Sequence, residues 1–189
     1  MSEALKEKNF NELYKELCNL PKNMVGQILN GELIASPRPA PRHAMASSVI
    51  GSFLTGPFQT GKNGPGGWWI LVEPEVHLEG NVFVPGWAGW KKSRLPKLPS
   101  TAYFELAPDW VCEVISPSSS RHDRVTKMNL YAQFKIPFYW LIDPALKTLE
   151  VFELSADRWV LNSSYQGDDK VSAQPFDAIE FDLGDLWAD

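Results

Sequence analysis

The stretch DWVCEVISPSSSRHDRVTKMNLYAQFKIPFYWLID, residues 109–143, decides the fold. Asp109 to Ser116 reads as a strand, residues 119–135 as a helix, and PFYWLID as a second strand. Alternation puts Val111, Glu113 and Ile115 on one side of the first strand, with Cys112, Val114 and Ser116 on the other. Glu113 therefore interrupts an apolar run. A carboxylate there is costly unless it is paired, protonated or bound to a metal. A salt-bridged strand glutamate, or an edge strand with one wet side, is the simplest account of that position taken alone. The helix adds to it. At about 100° per residue, Asp123, Lys127, Leu130, Tyr131 and Phe134 share one third of the circumference. The face that turns inward through Leu130 and Phe134 thus begins with two charges. An Asp–Lys pair four apart on a solvated turn contributes only a few tenths of a kcal/mol. Such a pair does not explain why both charges lie on the apolar face.

Around this unit the elements are mixed. Residues 1–20 form an amphipathic helix, with Leu5, Leu13, Leu17 and Leu20 at helical spacing. MVGQIL and ELIAS flank Asn30-Gly31, a strong hairpin signal because both residues tolerate positive φ. SPRPAPR is a proline-rich loop, and His43 to Phe53 reads as a helix ending near Gly56-Pro57. GKNGPGGWW is a glycine-rich turn without the lysine-serine ending of a phosphate loop. WWILVEPEVHL and NVFVPGW read as two strands joined at Glu79-Gly80-Asn81, and residues 91–101 as a basic loop. TLEVFEL and RWVLNSSYQ are further strands. The expected class is α/β, a mixed central sheet flanked by helices with additional hairpins, in a single domain over residues 1–189.

The totals exclude some classes. Apolar residues make up 44% and charged residues 22% of 189, the balance of a globular domain. No apolar run approaches the roughly 20 residues of a membrane span. The charged start MSEALKEKNF lacks the apolar centre of a secretory signal. Cys18 and Cys112 give neither metal spacing nor a disulfide framework, so a reduced, cytoplasmic setting is expected. The net charge of −5 leaves no overall basic surface for DNA, and Lys91, Lys92, Arg94 and Lys97 offer at most a local patch.

A strand carboxylate with a lysine and a second acid nearby suits metal-assisted hydrolysis. Mg²⁺ takes oxygen ligands, and a lysine stabilises developing charge or orients a water. Asp109 is a poor further ligand, four residues and about 13 Å along the strand from Glu113.

GQILNGELIASPRPAPRH, NVFVPGWAGW, APDWVCEVISPSSSRHDRVTKMNLYAQF and IPFYWLIDP together resemble the Uma-type restriction endonuclease family, a branch of the PD-(D/E)xK nuclease superfamily. The likeness runs over residues 24–187. It implies a restriction-endonuclease-like fold and Mg²⁺-dependent hydrolysis of DNA, with Mn²⁺ as a substitute ion and a homodimer by analogy. Glu113 resembles the metal-binding acid. Lys127 resembles a motif lysine moved from the strand, where Ile115 stands, to the following helix. By the same likeness Glu32 joins the catalytic set, to which the inward helix face adds Asp123; His43 resembles a histidine common in the family and reads either as a phosphate contact or as a helix-capping or surface histidine.

Two departures bear on activity. The family usually reads Val-Pro-Asp where this chain has Val84-Pro85-Gly86, and that aspartate is the expected central ligand. The family's hairpin often carries a glutamate where this chain has Gln27. Glu73 on the preceding strand is the candidate replacement metal ligand, with Glu75 second because Pro74 disturbs the alternation; two solvated strand-end carboxylates are the simpler account of both. The sequence thus leaves two readings: a Mg²⁺-dependent endonuclease, or an impaired relative that binds DNA or a protein partner. A third draws on Trp68, Trp69, Trp87 and Trp90 as a stacking platform for sugars or bases.

Overall fold

A computed structural model describes residues 9–187. The N-terminal helix α1 spans Phe10–Cys18 and opens with a capping box between Asn9 and Glu12. Leu5 and the other residues before position 9 lie outside the described residues. Asn30-Gly31, both at positive φ, turns β1 (Met24–Leu29) into β2 (Glu32–Pro37). Helix α2 (Pro41–Leu54) starts on a proline in its first turn, and its winding continues as a wider π-type turn over Thr55–Thr60. The expected stop at Gly56-Pro57 is therefore passed.

The two long strands expected from WWILVEPEVHL and NVFVPGW are each broken in two. Trp68–Val72 is β3 and Val76–Leu78 is β4; Asn81–Phe83 is β5 and Trp87–Lys91 is β6. The inner pair, β4 and β5, joins β1 and β2 in a four-stranded sheet of order β2-β1-β5-β4. The outer pair, β3 and β6, stays in the main sheet. Pro74 and Pro85 cause the break, since neither can donate to a ladder. Glu73 takes φ +46° at the bend, and its N–H donates to the carbonyl of Gly86 at 3.1 Å.

Beyond the basic loop come β7 (Trp110–Val114), β8 (Phe138–Asp143), β9 (Thr148–Ser155) and β10 (Arg158–Gln166). The main sheet has the order β10-β9-β8-β7-β6-β3. β7 and β8 pair in parallel, and the other neighbours are antiparallel. The parallel pair requires a crossover, supplied by a π-wound segment His122–Lys127 that runs into α3 (Met128–Gln133). The helix expected over 119–135 is thus in place, with its first half wound more loosely. A short ribbon of β11 (Lys170–Val171) and β12 (Phe181–Asp182), followed by a single 3-10 turn over Leu183–Leu186, closes the described chain.

Each face of the main sheet is covered. Cys112, Val114, Trp140 and Ile142 pack with Ile50 and Leu54 of α2, while Val111, Ile115, Tyr139 and Leu141 pack with Leu130 and Tyr131 of α3. Trp68, Trp87 and Trp90 are buried, and the indole N–H groups of Trp69, Trp87 and Trp90 all donate inside the protein. These rings fill the core and form no exposed platform. Among the described residues no helix is long and apolar enough to cross a membrane.

Candidate active site

Glu113 is the penultimate residue of β7, between the apolar Val111 and Ile115 on the same face, and is 4% exposed. The crossover returns over it. Arg124 pins the outer side of the π-wound segment to β9 and the end of β8, donating to Glu150 at 2.6 Å and lying 3.4 Å from Asp143. Asp123 and Lys127 are thereby turned inward, 1% and 3% exposed. Lys127 Nζ donates to Glu113 Oε1 at 2.9 Å and stands 3.1 Å from Asp123 Oδ1. The second contact is an ion pair whose angle falls short of a hydrogen bond.

Tyr131, one turn on, donates its hydroxyl to the same Glu113 Oε1 at 2.7 Å. Tyr139 donates to the backbone carbonyl of Asp123 at 3.0 Å and fixes the segment from the sheet side. The sequence reading put Tyr131 on the inward face yet assigned it no function. The missed signal was its spacing of four from Lys127, which sets both side chains over one strand position.

The electrostatics follow from burial. Desolvation raises the Glu113 carboxyl above its ordinary range; Lys127 and the Tyr131 hydrogen bond pull it down, and Asp123 pushes it up again. Burial also works against the charge on Lys127, but Glu113 and Asp123 outweigh it and hold the ammonium above the usual lysine range. The cluster is two carboxylates around one ammonium, with the positive charge fully matched.

The cleft in front of this cluster has a volume of about 90 Å³ and is lined by Gln27, His43, Glu73, Gly86, Glu113, Asp123 and Lys127, among others. Five of the expected site residues thus meet there: Glu113, Lys127, Asp123, Glu73 and His43. Glu32 does not line this cleft. It stands exposed beside the hairpin turn, opposite Leu29. Glu75, the second-choice acid, lies outside this cleft and accepts from Tyr14 and His77. Asp109 is also elsewhere, held by Arg94 at 2.8 Å and by the N–H of Lys91. His43 is in the first turn of α2, and its Nδ1 is buried with no hydrogen-bond partner. Burial lowers its pKa, against the opposing influence of the Val114 backbone and the charges of Asp123 and Glu73.

Gly86 is the telling position. Its N–H donates to Glu113 Oε2 at 3.2 Å, so the backbone itself takes the second oxygen of the acid. A Cβ at this position would lie 3.1 Å from the carbonyl oxygen of Cys112, tighter than ordinary contact. Gln27 is 9% exposed and accepts the Val84 N–H through Oε1 at 3.0 Å, clamping the bend from the first hairpin.

This donor set does not fit a hard divalent cation as arranged. Both oxygens of Glu113 accept bonds from the protein, Asp123 faces Lys127, and residue 86 brings no side chain. Among the described residues, no three of His, Cys, Asp and Glu converge so as to hold an ion.

Comparison with known proteins agrees with this architecture. The family model Uma2, described as "Putative restriction endonuclease", matches residues 12–184. Among solved structures, a "putative nuclease belonging to DUF820" from Anabaena variabilis superposes with a TM-score of 0.76 at 20% identity, covering 96% of this chain and 98% of that one. The likeness is one of fold. A search of curated proteins finds no match.

Proposed function

This chain belongs to the Uma2 family of restriction endonucleases, and we propose that it binds DNA at the Glu113–Lys127 cleft while its Mg²⁺-dependent phosphodiester hydrolysis is impaired. The observation that carries this reading is Gly86. The position where the family likeness expects a carboxylate supplies a backbone N–H instead, and that N–H bonds the remaining acid.

The charge state of Lys127 supports the same reading. A lysine stabilises negative charge building on a phosphate only if its own charge is not already neutralised. Here Glu113 and Asp123 both stand within 3.1 Å of the ammonium. Glu73, on the cleft's edge, is the acid placed to replace the missing one, and it faces a site without a third ligand group. His43 lines the same cleft and is the candidate for contact with a phosphate oxygen.

The test uses plasmid nicking with Mg²⁺ or Mn²⁺ together with a DNA retention assay. The parent is expected to retain DNA and to nick it weakly or not at all. Gly86→Asp should gain metal-dependent nicking, provided that the Cys112 carbonyl gives by a few tenths of an ångström. Strong parental nicking that disappears in Glu113→Ala would establish an intact nuclease instead. Absence of DNA retention would remove the reading altogether.

A further inference from the structure

The loop SPRPAPR, residues 36–42, has no part in the chemistry above, yet it forms one wall of the cleft through Ser36, Pro37 and Pro39. It is held at both ends. The Arg38 N–H donates to the carbonyl of Asn23 at 3.1 Å, and Pro41 begins α2. Prolines at 37, 39 and 41 stiffen the span between. Arg38 Nε donates to the carbonyl of Lys22 at 3.3 Å, which sets these two exposed cations side by side.

They line a second cavity, of about 460 Å³. It shares Val25, Glu73 and Val84 with the cleft at Glu113, so the two cavities adjoin at these residues. One end holds Glu113 and the matched Lys127; the other holds Lys22 and Arg38. Two cations of the basic loop noted in the sequence are already engaged elsewhere. Arg94 pairs with Asp109, and Lys92 bonds the Gln59 carbonyl and lies over Trp69.

We propose that this groove tracks one strand of a nucleic acid, with Lys22 and Arg38 taking a backbone phosphate away from the Glu113 end. The proposal rests on the DNA-binding reading above and supplies its missing cations. A phosphate attracts positive charge that is not already matched, and Lys127 has none to offer. A fixed loop orders its arginine before binding, which lowers the entropic cost of contact. Glu73 and Glu75 are the charges in the groove that oppose a phosphate, and Tyr14 and His77 hold Glu75 in place by hydrogen bonds.

These placements fix the signs of three variants. Fluorescence anisotropy with a labelled single-stranded and a labelled duplex oligonucleotide, in EDTA and over a range of salt, reads them. The parent should bind with a negative slope of log affinity against log salt. In Lys22→Gln/Arg38→Gln that slope should shrink by about 0.7 per lost contact on the single strand or about 0.9 on the duplex. Arg38→Lys should keep the parental slope. Glu73→Gln should bind more tightly than the parent. A double variant with parental slope and affinity overturns the groove while leaving the DNA-binding reading intact, and so does a weaker Glu73→Gln. A parent that binds neither oligonucleotide overturns both.

Discussion

Replacing Lys127 by methionine removes the ammonium held between Glu113 and Asp123 and leaves two carboxylates in a site whose side chains are only 6% and 2% exposed. Breaking a buried pair by deleting one partner costs about 3–5 kcal/mol. The protein can limit that cost by protonating Glu113, which restores the parental net charge of the cluster. Glutamate ordinarily titrates at 4.5. Holding one proton on it at pH 7.5 therefore costs about 4 kcal/mol, at about 1.4 kcal/mol per pH unit. The two routes agree on a loss of about 3–4 kcal/mol near neutrality.

The pH dependence has a definite sign. The folded-state pKa of Glu113 already lies above its unfolded value, and losing Lys127 raises it further. The native state then keeps a proton that the unfolded chain has released. The contribution of this group is fully present below pH 4.5 and is lost as pH climbs toward the folded pKa. Urea unfolding followed by tryptophan fluorescence, for parent and variant between pH 5 and 8, should show a gap that widens with pH. Glu113→Gln/Lys127→Met should recover part of the loss, because no ionised Glu113 remains to be compensated. A gap below about 1 kcal/mol at pH 7.5, or one that stays constant with pH, would refute the buried-cluster argument.

Further outcomes follow from single contacts. Tyr131→Phe deletes a hydrogen bond to a buried carboxylate and should cost about 1.5–3 kcal/mol in urea unfolding, with the cost growing as pH rises because that bond lowers the Glu113 pKa. Gly51→Ala sets helix propensity, worth about 1 kcal/mol in favour, against a Cβ landing 2.3 Å from the Trp87 ring. Overpacking of about 1–3 kcal/mol should win, so thermal unfolding should shift downward; an upward shift would show that the ring has room to move. Gly86→Asp should acquire a Mg²⁺-dependent rise in melting temperature that the parent lacks, because only a ligand bound by the native state stabilises it.

Much of the site was legible because its signals are local. Two-residue alternation placed Glu113 among apolar neighbours, and helical spacing brought Asp123, Lys127 and Tyr131 onto one face; both hold in the structure. The looser winding of residues 122–127 did not upset this, since residues four apart still stand nearly above one another. Asn30-Gly31 likewise specified its hairpin through its own φ angles. The Gly86 substitution was visible too, as the absence of a side chain at one position.

Tertiary structure decided what depends on contacts between distant residues. Pro74 marked a disturbance in one strand, but nothing local showed that two proline-bearing strands would break together and divide between two sheets. That requires Glu73 and Gly86 to meet across the bend, and pairing of this kind is not encoded by either strand alone. The sequence likewise did not show that the Gly86 N–H would bond Glu113, or that Gln27 would clamp Val84 across 57 residues of chain. Periodicity assigns a residue to a face, whereas the partner it meets there is set by the register and closure of the whole sheet. For this chain, that closure determines whether Glu113 is available to a metal or is already bonded by the protein.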